Sequence, residues 1–213
     1  RTCLVHLPAL VKEFLFVGTG LVINGSDACA HALLCHLGGL TGSGGGIISQ
    51  TGGVINLKSS VIKNNTSTAD GAGLYVSSNT SFNMTGGEIS KNTAKNAAGI
   101  LIQTKVAMEF SGGKVIENKA TDGGGGIYVS TGTKITMTGG AINNNYAKNG
   151  GGGLFLLRAT GIIKGGSINY NSAGNGGGIK NNGSRLDIYN VSIVGNDAVG
   201  TTNAKGKYTA GNA

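Results

Sequence analysis

Asparagine and glycine return along this chain at fixed distances, and no other property of the sequence restricts its fold as much. Aligned on the Asn that closes an [IV]-x-x-N unit, the copies give Asn65, Asn92, Asn118, Asn145, Asn171 and Asn196, with steps of 27, 26, 27, 26 and 25 residues. Aligned instead on the first apolar residue after a glycine run, Ile47, Leu74, Ile100, Ile127, Leu154 and Ile179 step by 27, 26, 27, 27 and 25. Two independent markers keep one period, so the chain is a repeat and not merely biased in composition. Its 41 glycines carry no three-residue period, which excludes a collagen-like chain, and the regular Ile, Leu and Val positions argue against disorder.

Within each copy three apolar segments alternate with polar residues. The first follows the glycines, as in Leu74-Tyr75-Val76, Ile100-Leu101-Ile102, Ile127-Tyr128-Val129 and Leu154-Phe155-Leu156. The second precedes the next glycine pair, as in Phe82-Asn83-Met84, Met108-Glu109-Phe110 and Ile135-Thr136-Met137. The third is a short anchor, as in Val61-Ile62, Glu88-Ile89, Ala141-Ile142 and Ser167-Ile168. Alternation over three to five residues marks a short strand with one face buried, and nothing in the repeats sustains a helical period. Three short strands every 25–27 residues imply a coil that returns on itself, each strand lying parallel to its counterpart one copy earlier. The sequence therefore predicts a right-handed parallel β-helix, a solenoid of about six to seven coils. Tight corners account for the glycines, and strands that all donate to a neighbour account for the absence of proline from the repeats.

Three regions follow: an N-terminal cap and degenerate first coil over 1–40, the β-helix repeats over 41–196, and a polar tail or partial last coil over 197–213. Residues 19–28 (TGLVINGSDA) echo the later GGAINNNYA, and about a dozen extra residues around ACAHALLCHL read as a short helical insertion. No stretch reaches the ~20 apolar residues needed to span a bilayer. The chain begins at Arg1, which reads as a processed product or a fragment. The net charge of +8 comes mostly from lysines scattered singly along the chain, with only Arg1, Arg158 and Arg185 as arginines. That pattern speaks against nucleic acid and for a general attraction to anionic surfaces.

The [IV]-x-x-N asparagines are expected to stack inside one corner and to bond one another along the axis. A second polar ladder, Asp70, Asn96, Asp122, Asn149 and Asn175, precedes the glycines, where Asx side chains can bond their own turn backbone. Both ladders read as structural.

The units Gly86-Gly87-Glu88-Ile89…Asn92, Gly139-Gly140-Ala141-Ile142…Asn145 and Gly165-Gly166-Ser167-Ile168…Asn171 carry a family likeness. They resemble the GGA(I/L/V) and FxxN repeats of chlamydial polymorphic outer-membrane proteins, and are similar to autotransporter passengers and other bacterial β-helical surface proteins. Ile or Val stands here where those repeats have Phe, and no β-barrel translocator follows. The resemblance implies an exported structural or adhesive module, extracellular or at the cell surface.

Three constellations could carry chemistry. Carbohydrate-active β-helices use clustered carboxylates. Asp70 and Asp122 share one corner two coils apart, but the same position holds Asn in three other coils, so the turn role is the better reading. Cys3, Cys29 and Cys35 with His6, His31 and His36 include ligand types, yet no second C-x2-C or H-x3-H closes a metal frame; a disulfide among the three and free thiols both remain open. Last, Ile48, Tyr75, Leu101, Tyr128 and Phe155, followed by Lys180, should stack as an exposed apolar and aromatic stripe on one outer face, a candidate interaction surface.

The sequence thus points to a non-enzymatic surface module without metal or cofactor. Its expected partners are further copies in an end-to-end fibre, or the continuation of a longer chain, and a cell-surface or polysaccharide ligand. The alternative is a polysaccharide lyase or hydrolase, or a glycan-binding module.

Overall fold

The structure, a computed structural model, describes residues 13–16, 22–24, 43–49, 52–202 and 208–209, with side chains over 43–49 and 52–200. It is a parallel β-helix of about six coils with three sheets, and no helix occurs among the described residues. The first sheet collects the strands that follow the glycines: Ile47–Ser49, Leu74–Val76, Ile100–Ile102, Ile127–Val129, Leu154–Leu157 and Ile179–Asn182. Every pairing between them is parallel and keeps the sequence register, Ile47 against Leu74, Leu74 against Ile100, Ile100 against Ile127, Ile127 against Leu154 and Leu154 against Ile179.

The second sheet runs through Glu13–Phe16, Gly53–Leu57, Thr80–Ser90, Ala107–Ile116, Lys134–Met137, Thr160–Ile163 and Arg185–Ile188. Here the second and third segments of a copy prove to belong to one sheet. Thr80–Ser90 and Ala107–Ile116 are single strands that carry Phe82-Asn83-Met84 and Ile89, or Met108-Glu109-Phe110 and Val115, across the glycine pair. The pair bends the strand without leaving the ladder, because the second glycine takes a left-handed backbone, +80° at Gly87 and +94° at Gly113. A Cβ there would also strike the coil below, 2.5 Å from the Ser60 carbonyl oxygen at Gly87 and 2.6 Å from that of Gly86 at Gly113.

The third sheet consists of two-residue strands just past the [IV]-x-x-N asparagines: Thr93–Ala94, Lys119–Ala120, Tyr146–Ala147, Ser172–Ala173 and Asp197–Ala198. Two residues are too few to show a period, so the pattern of apolar residues could not reveal them. Ala94, Ala120, Ala147 and Ala173, with Ala72 and Ala98, form a small buried cluster of their own.

The main core lies between the first and second sheets. Leu57, Met84, Phe110, Met137 and Ile163 form one inward column by register, and Ile55, Phe82, Met108 and Ile135 another. Gly161 interrupts the second column, and the gap is filled by Leu156 and Leu186, whose methyl carbons lie 2.9 and 3.0 Å from where its Cβ would stand. Large and small residues thus interdigitate along the axis as close packing requires.

At the N-terminal side, Glu13–Phe16 pairs in parallel with Gly53–Leu57 and Val22–Asn24 with Val61–Lys63. Ile23 lies against Ile62, 39 positions on, so the surplus over one period falls within 25–42. The expected helical insertion, like Cys3, Cys29, Cys35 and the three histidines, lies outside the described residues. Beyond the repeats, Asp197–Ala198 continues the third sheet, and Thr201–Thr202 pairs with Tyr208–Thr209 in antiparallel fashion.

Candidate functional site

The corner between the second and third sheets holds the inner amide ladder. Oδ1 of Asn92 accepts from both the backbone N–H and Nδ2 of Asn65, each at 3.0 Å. The same fork repeats from Asn92 to Asn118, Asn118 to Asn145, Asn145 to Asn171 and Asn171 to Asn196, all at 2.9–3.0 Å. The remaining amide hydrogen goes back to a carbonyl of the preceding coil: Asn92 to Ile62, Asn118 to Ile89, Asn145 to Val115, Asn171 to Ile142 and Asn196 to Ile168. The side chains of Asn92, Asn118, Asn145 and Asn171 therefore make four hydrogen bonds each, and these four and Asn65 are buried. The glycine opening each first-sheet strand packs against this ladder. A Cβ on Gly126 would stand 2.5 Å from the Gly153 carbonyl and 3.0 Å from Asn145 Nδ2, so the close approach admits only glycine.

The second ladder behaves differently from expectation. Asp70, Asn96, Asp122 and Asn149 bond across coils and not to their own turns. Nδ2 of Asn96 donates to Asp70 Oδ1 and Nδ2 of Asn149 to Asp122 Oδ1, each at 2.9 Å, while Gly123 N–H donates to Asn96 Oδ1 at 3.0 Å. Turn N–H groups here are committed to neighbouring coils, Gly71 N–H to the Asn96 carbonyl, Ala97 N–H to Gly123, Ala98 N–H to Gly124 and Gly150 N–H to the Asp122 carbonyl, so they are closed to an Asx side chain. Asn175, half-buried at the same corner, has no side-chain bond among the described residues. Asp70 and Asp122 are separated by the coil carrying Asn96, and each holds an asparagine amide.

The outer stripe stacks as predicted: Ile48, Tyr75, Leu101, Tyr128, Phe155 and Lys180 share one register column. Its exposure does not follow. Tyr75 and Leu101 are buried, at 4% and 3% exposure, in a cluster with Ala97, against which Ile48 and Tyr128 pack. The cause is the preceding corner, which lies over the stripe: Cβ positions at Gly71 and Gly124 would meet the Cβ atoms of Tyr75 and Tyr128 at 3.0 and 2.9 Å. Farther along, Tyr128 and Phe155 meet edge to face at 4.7 Å, and Lys180 Nζ sits 5.1 Å above the Phe155 ring while donating to the Asn149 carbonyl at 3.3 Å.

Between the stripe and the outer ladder runs a groove of about 310 Å³, with Leu101, Tyr128 and Phe155 on its apolar side and Asp70, Asn96, Asp122 and Asn149 on its polar side. Gln103, Ser130 and Lys180 also line it; sequence reasoning missed the first two because their shared position, one past the first-sheet strand, changes residue type from copy to copy (Ser77, Gln103, Ser130, Leu157) and so shows no pattern. Burial, then the carboxylates of Asp70 and Asp122, raise the Tyr128 phenol above its ordinary pKa; burial and Asp70 do the same for Tyr75. Both phenols are thereby held as neutral hydrogen-bonding groups. Among the described residues no three His, Cys, Asp or Glu side chains gather as a metal site, and no helix is long and apolar enough to cross a membrane.

The last coil forms a further surface. Ile188 and Ile193 are 44% and 42% exposed, whereas Ile163 and Ile168 at the same positions one coil earlier are fully buried. Tyr189, Val194 and Val199 are exposed beside them.

These features define a parallel β-helical repeat protein with a polar-and-aromatic lateral groove and an apolar terminal coil. No family model, no curated protein and no solved structure matches the chain.

Proposed function

We propose that this chain is a non-enzymatic structural or adhesive module of the extracellular space or cell surface that associates end to end. The observation that carries the reading is the terminal coil. Side chains at the inward positions of Ile188 and Ile193, which are core in the earlier described coils, are exposed there beside the edge strands Arg185–Ile188 and Asp197–Ala198. A further coil would bury them and continue the same parallel pairing, whether it came from a continuation of the chain or, as we infer, from a neighbouring copy. Such a contact is heterologous and does not close, so it propagates as a fibre. The likeness of the glycine–asparagine repeats to those of polymorphic outer-membrane proteins supports the surface assignment.

Sedimentation velocity over a concentration series, with electron microscopy of the concentrated sample, tests this. Assembly that grows with concentration and is lost in Ile193→Lys is the expected result. A monomer at all concentrations overturns the fibre. A second reading, glycan binding, is favoured by the groove between Tyr128, Phe155 and the outer ladder. Saturable binding of a neutral oligosaccharide that Tyr128→Ala and Asp122→Ala abolish would establish it in place of self-association.

A further inference from the structure

The lysines and arginines that look scattered in the sequence are brought into a row where the first sheet turns into the second. At this turn one position is left-handed in successive coils: Asn79, Lys105, Gly132, Arg158 and Gly183, with φ of 59°, 59°, 71°, 47° and 65°. The positions stack through the backbone, Gly132 N–H donating to the Arg158 carbonyl at 3.0 Å and Arg158 N–H to that of Asn182 at 2.9 Å. Two residues farther on, Ala107, Lys134, Thr160 and Arg185 form the next register column. Lys105, Lys134, Arg158 and Arg185 therefore occupy four successive coils in a zigzag and span about 14 Å at ~4.8 Å per coil.

All four are exposed. The stem of Arg158 climbs toward the next coil, its Cγ 3.7 Å from where a Cβ on Gly183 would be. Arg185 is bonded by Asp187 through Nε and Nη2, both at 2.9 Å, yet its side chain remains 74% exposed. The other three have no ion pair among the described residues. Glu109, one residue pair along from Ala107, is the other carboxylate on this edge of the second sheet.

We propose that this row binds an acidic polysaccharide laid along the solenoid axis. One cation per coil matches a linear polymer with regularly spaced anionic groups, and the two guanidinium groups supply the planar fork that suits carboxylate. The neighbours Asn79, Ser81, Thr133, Thr160 and Gly183 are small and polar. The row thus lacks the aromatic platforms on which single-stranded nucleic acid stacks, which decides for a polymer without bases. This inference takes from the surface-module reading only the setting in which such a polymer is met; the binding itself requires no assembly.

The test compares the chain with two charge-matched variants on immobilised polygalacturonate and dextran sulfate, with neutral dextran and single-stranded DNA as further probes. The first variant replaces the row by residues already present in the same columns: Lys105→Asn, Lys134→Ser, Arg158→Gly and Arg185→Thr. The second removes four exposed lysines elsewhere: Lys95→Ser, Lys114→Ser, Lys119→Ser and Lys148→Ser. The row variant should lose at least roughly tenfold in affinity, and the slope of log affinity against log salt should flatten by about 3. The second variant should stay near the parent. Equal loss in both variants, binding to neutral dextran, or tighter binding to single-stranded DNA than to polygalacturonate each overturns the proposal. A monomer that binds polygalacturonate through the row keeps this inference while removing the fibre, and a fibre indifferent to the polymer does the reverse.

Discussion

Truncating Asn118 to alanine tests the inner ladder where it is most completely enclosed. Asn118→Ala removes the oxygen that accepts from the Asn92 N–H at 3.0 Å and from Asn92 Nδ2 at 2.9 Å, and the amide that donates to Ile89 and Asn145. The Asn145 oxygen keeps the backbone N–H of residue 118, and Asn92 Nδ2 keeps the Ile62 carbonyl. Two buried donor hydrogens on Asn92 are nonetheless stranded. At about 1–3 kcal/mol each, the loss should be about 4 kcal/mol, measured by chemical denaturation followed by circular dichroism. Asn196→Ala strands the corresponding donors of Asn171 where the ladder is only partly buried, so water can replace the lost oxygen and the cost should be about half as large.

Asn118→Asp sharpens the test, because one oxygen still accepts from Asn92 while the other faces two acceptors, the Ile89 carbonyl and Asn145 Oδ1. Burial and those lone pairs raise the folded pKa of the new carboxyl above its unfolded value of about 3.9. A raised folded pKa means stability that is present below the unfolded pKa and lost as pH rises. The variant should therefore be more stable near pH 4 than near pH 8 relative to the parent. A loss in Asn118→Ala below about 1 kcal/mol, the net worth of one ordinary hydrogen bond, would refute the ladder as a stabilising element.

Gly126→Ala should destabilise by about 3 kcal/mol or prevent folding, since its Cβ meets backbone, whereas Gly132→Ala meets nothing within 4 Å and should cost only the ~1–2 kcal/mol of a left-handed residue; paired thermal melts separate the two. Glu117 is left-handed at φ 55° in a column where Asn64, Asn144 and Gly195 also stand, and its 3.5 Å pair with Lys91 is largely exposed. Glu117→Asn should therefore stabilise by about 0.5–1 kcal/mol in the same assay, the relief of backbone strain outweighing a weak surface pair. The raised Tyr128 pKa predicts stability that is complete below about pH 10 and falls as pH rises through the folded value. Tyr128→Phe should flatten that alkaline decline, and an unchanged decline would show that the Tyr128 phenol is not its source.

The period of the asparagines sufficed to place the coils, because one strand spacing per copy allows little else. Val115, Ile142 and Ile168 sit inside as their spacing implies, and Asn118 meets Asn145. Geometry across coils was less legible. Alternation marks which way a side chain points but not what lies over it, so Tyr75 and Leu101 read as outward-facing and are covered by the preceding corner. The third sheet escaped because Thr93–Ala94 and its counterparts are too short to show a period. Asp70 and Asp122 look like turn residues one at a time; that they hold amides of adjacent coils follows only once the turn N–H groups are known to be taken. Lys105 and Arg158 lie 53 positions apart in sequence and two coils apart in space.

The forks of the inner asparagines all run one way, each oxygen turned toward the lower-numbered coil. Their dipoles add along the rod and make it directional, like a row of arrows. Within the described ladder each step presents an oxygen to the lower-numbered neighbour and hydrogens to the higher-numbered one. A filament that continued this ladder from copy to copy would keep that sense throughout, and so would carry a plus end and a minus end.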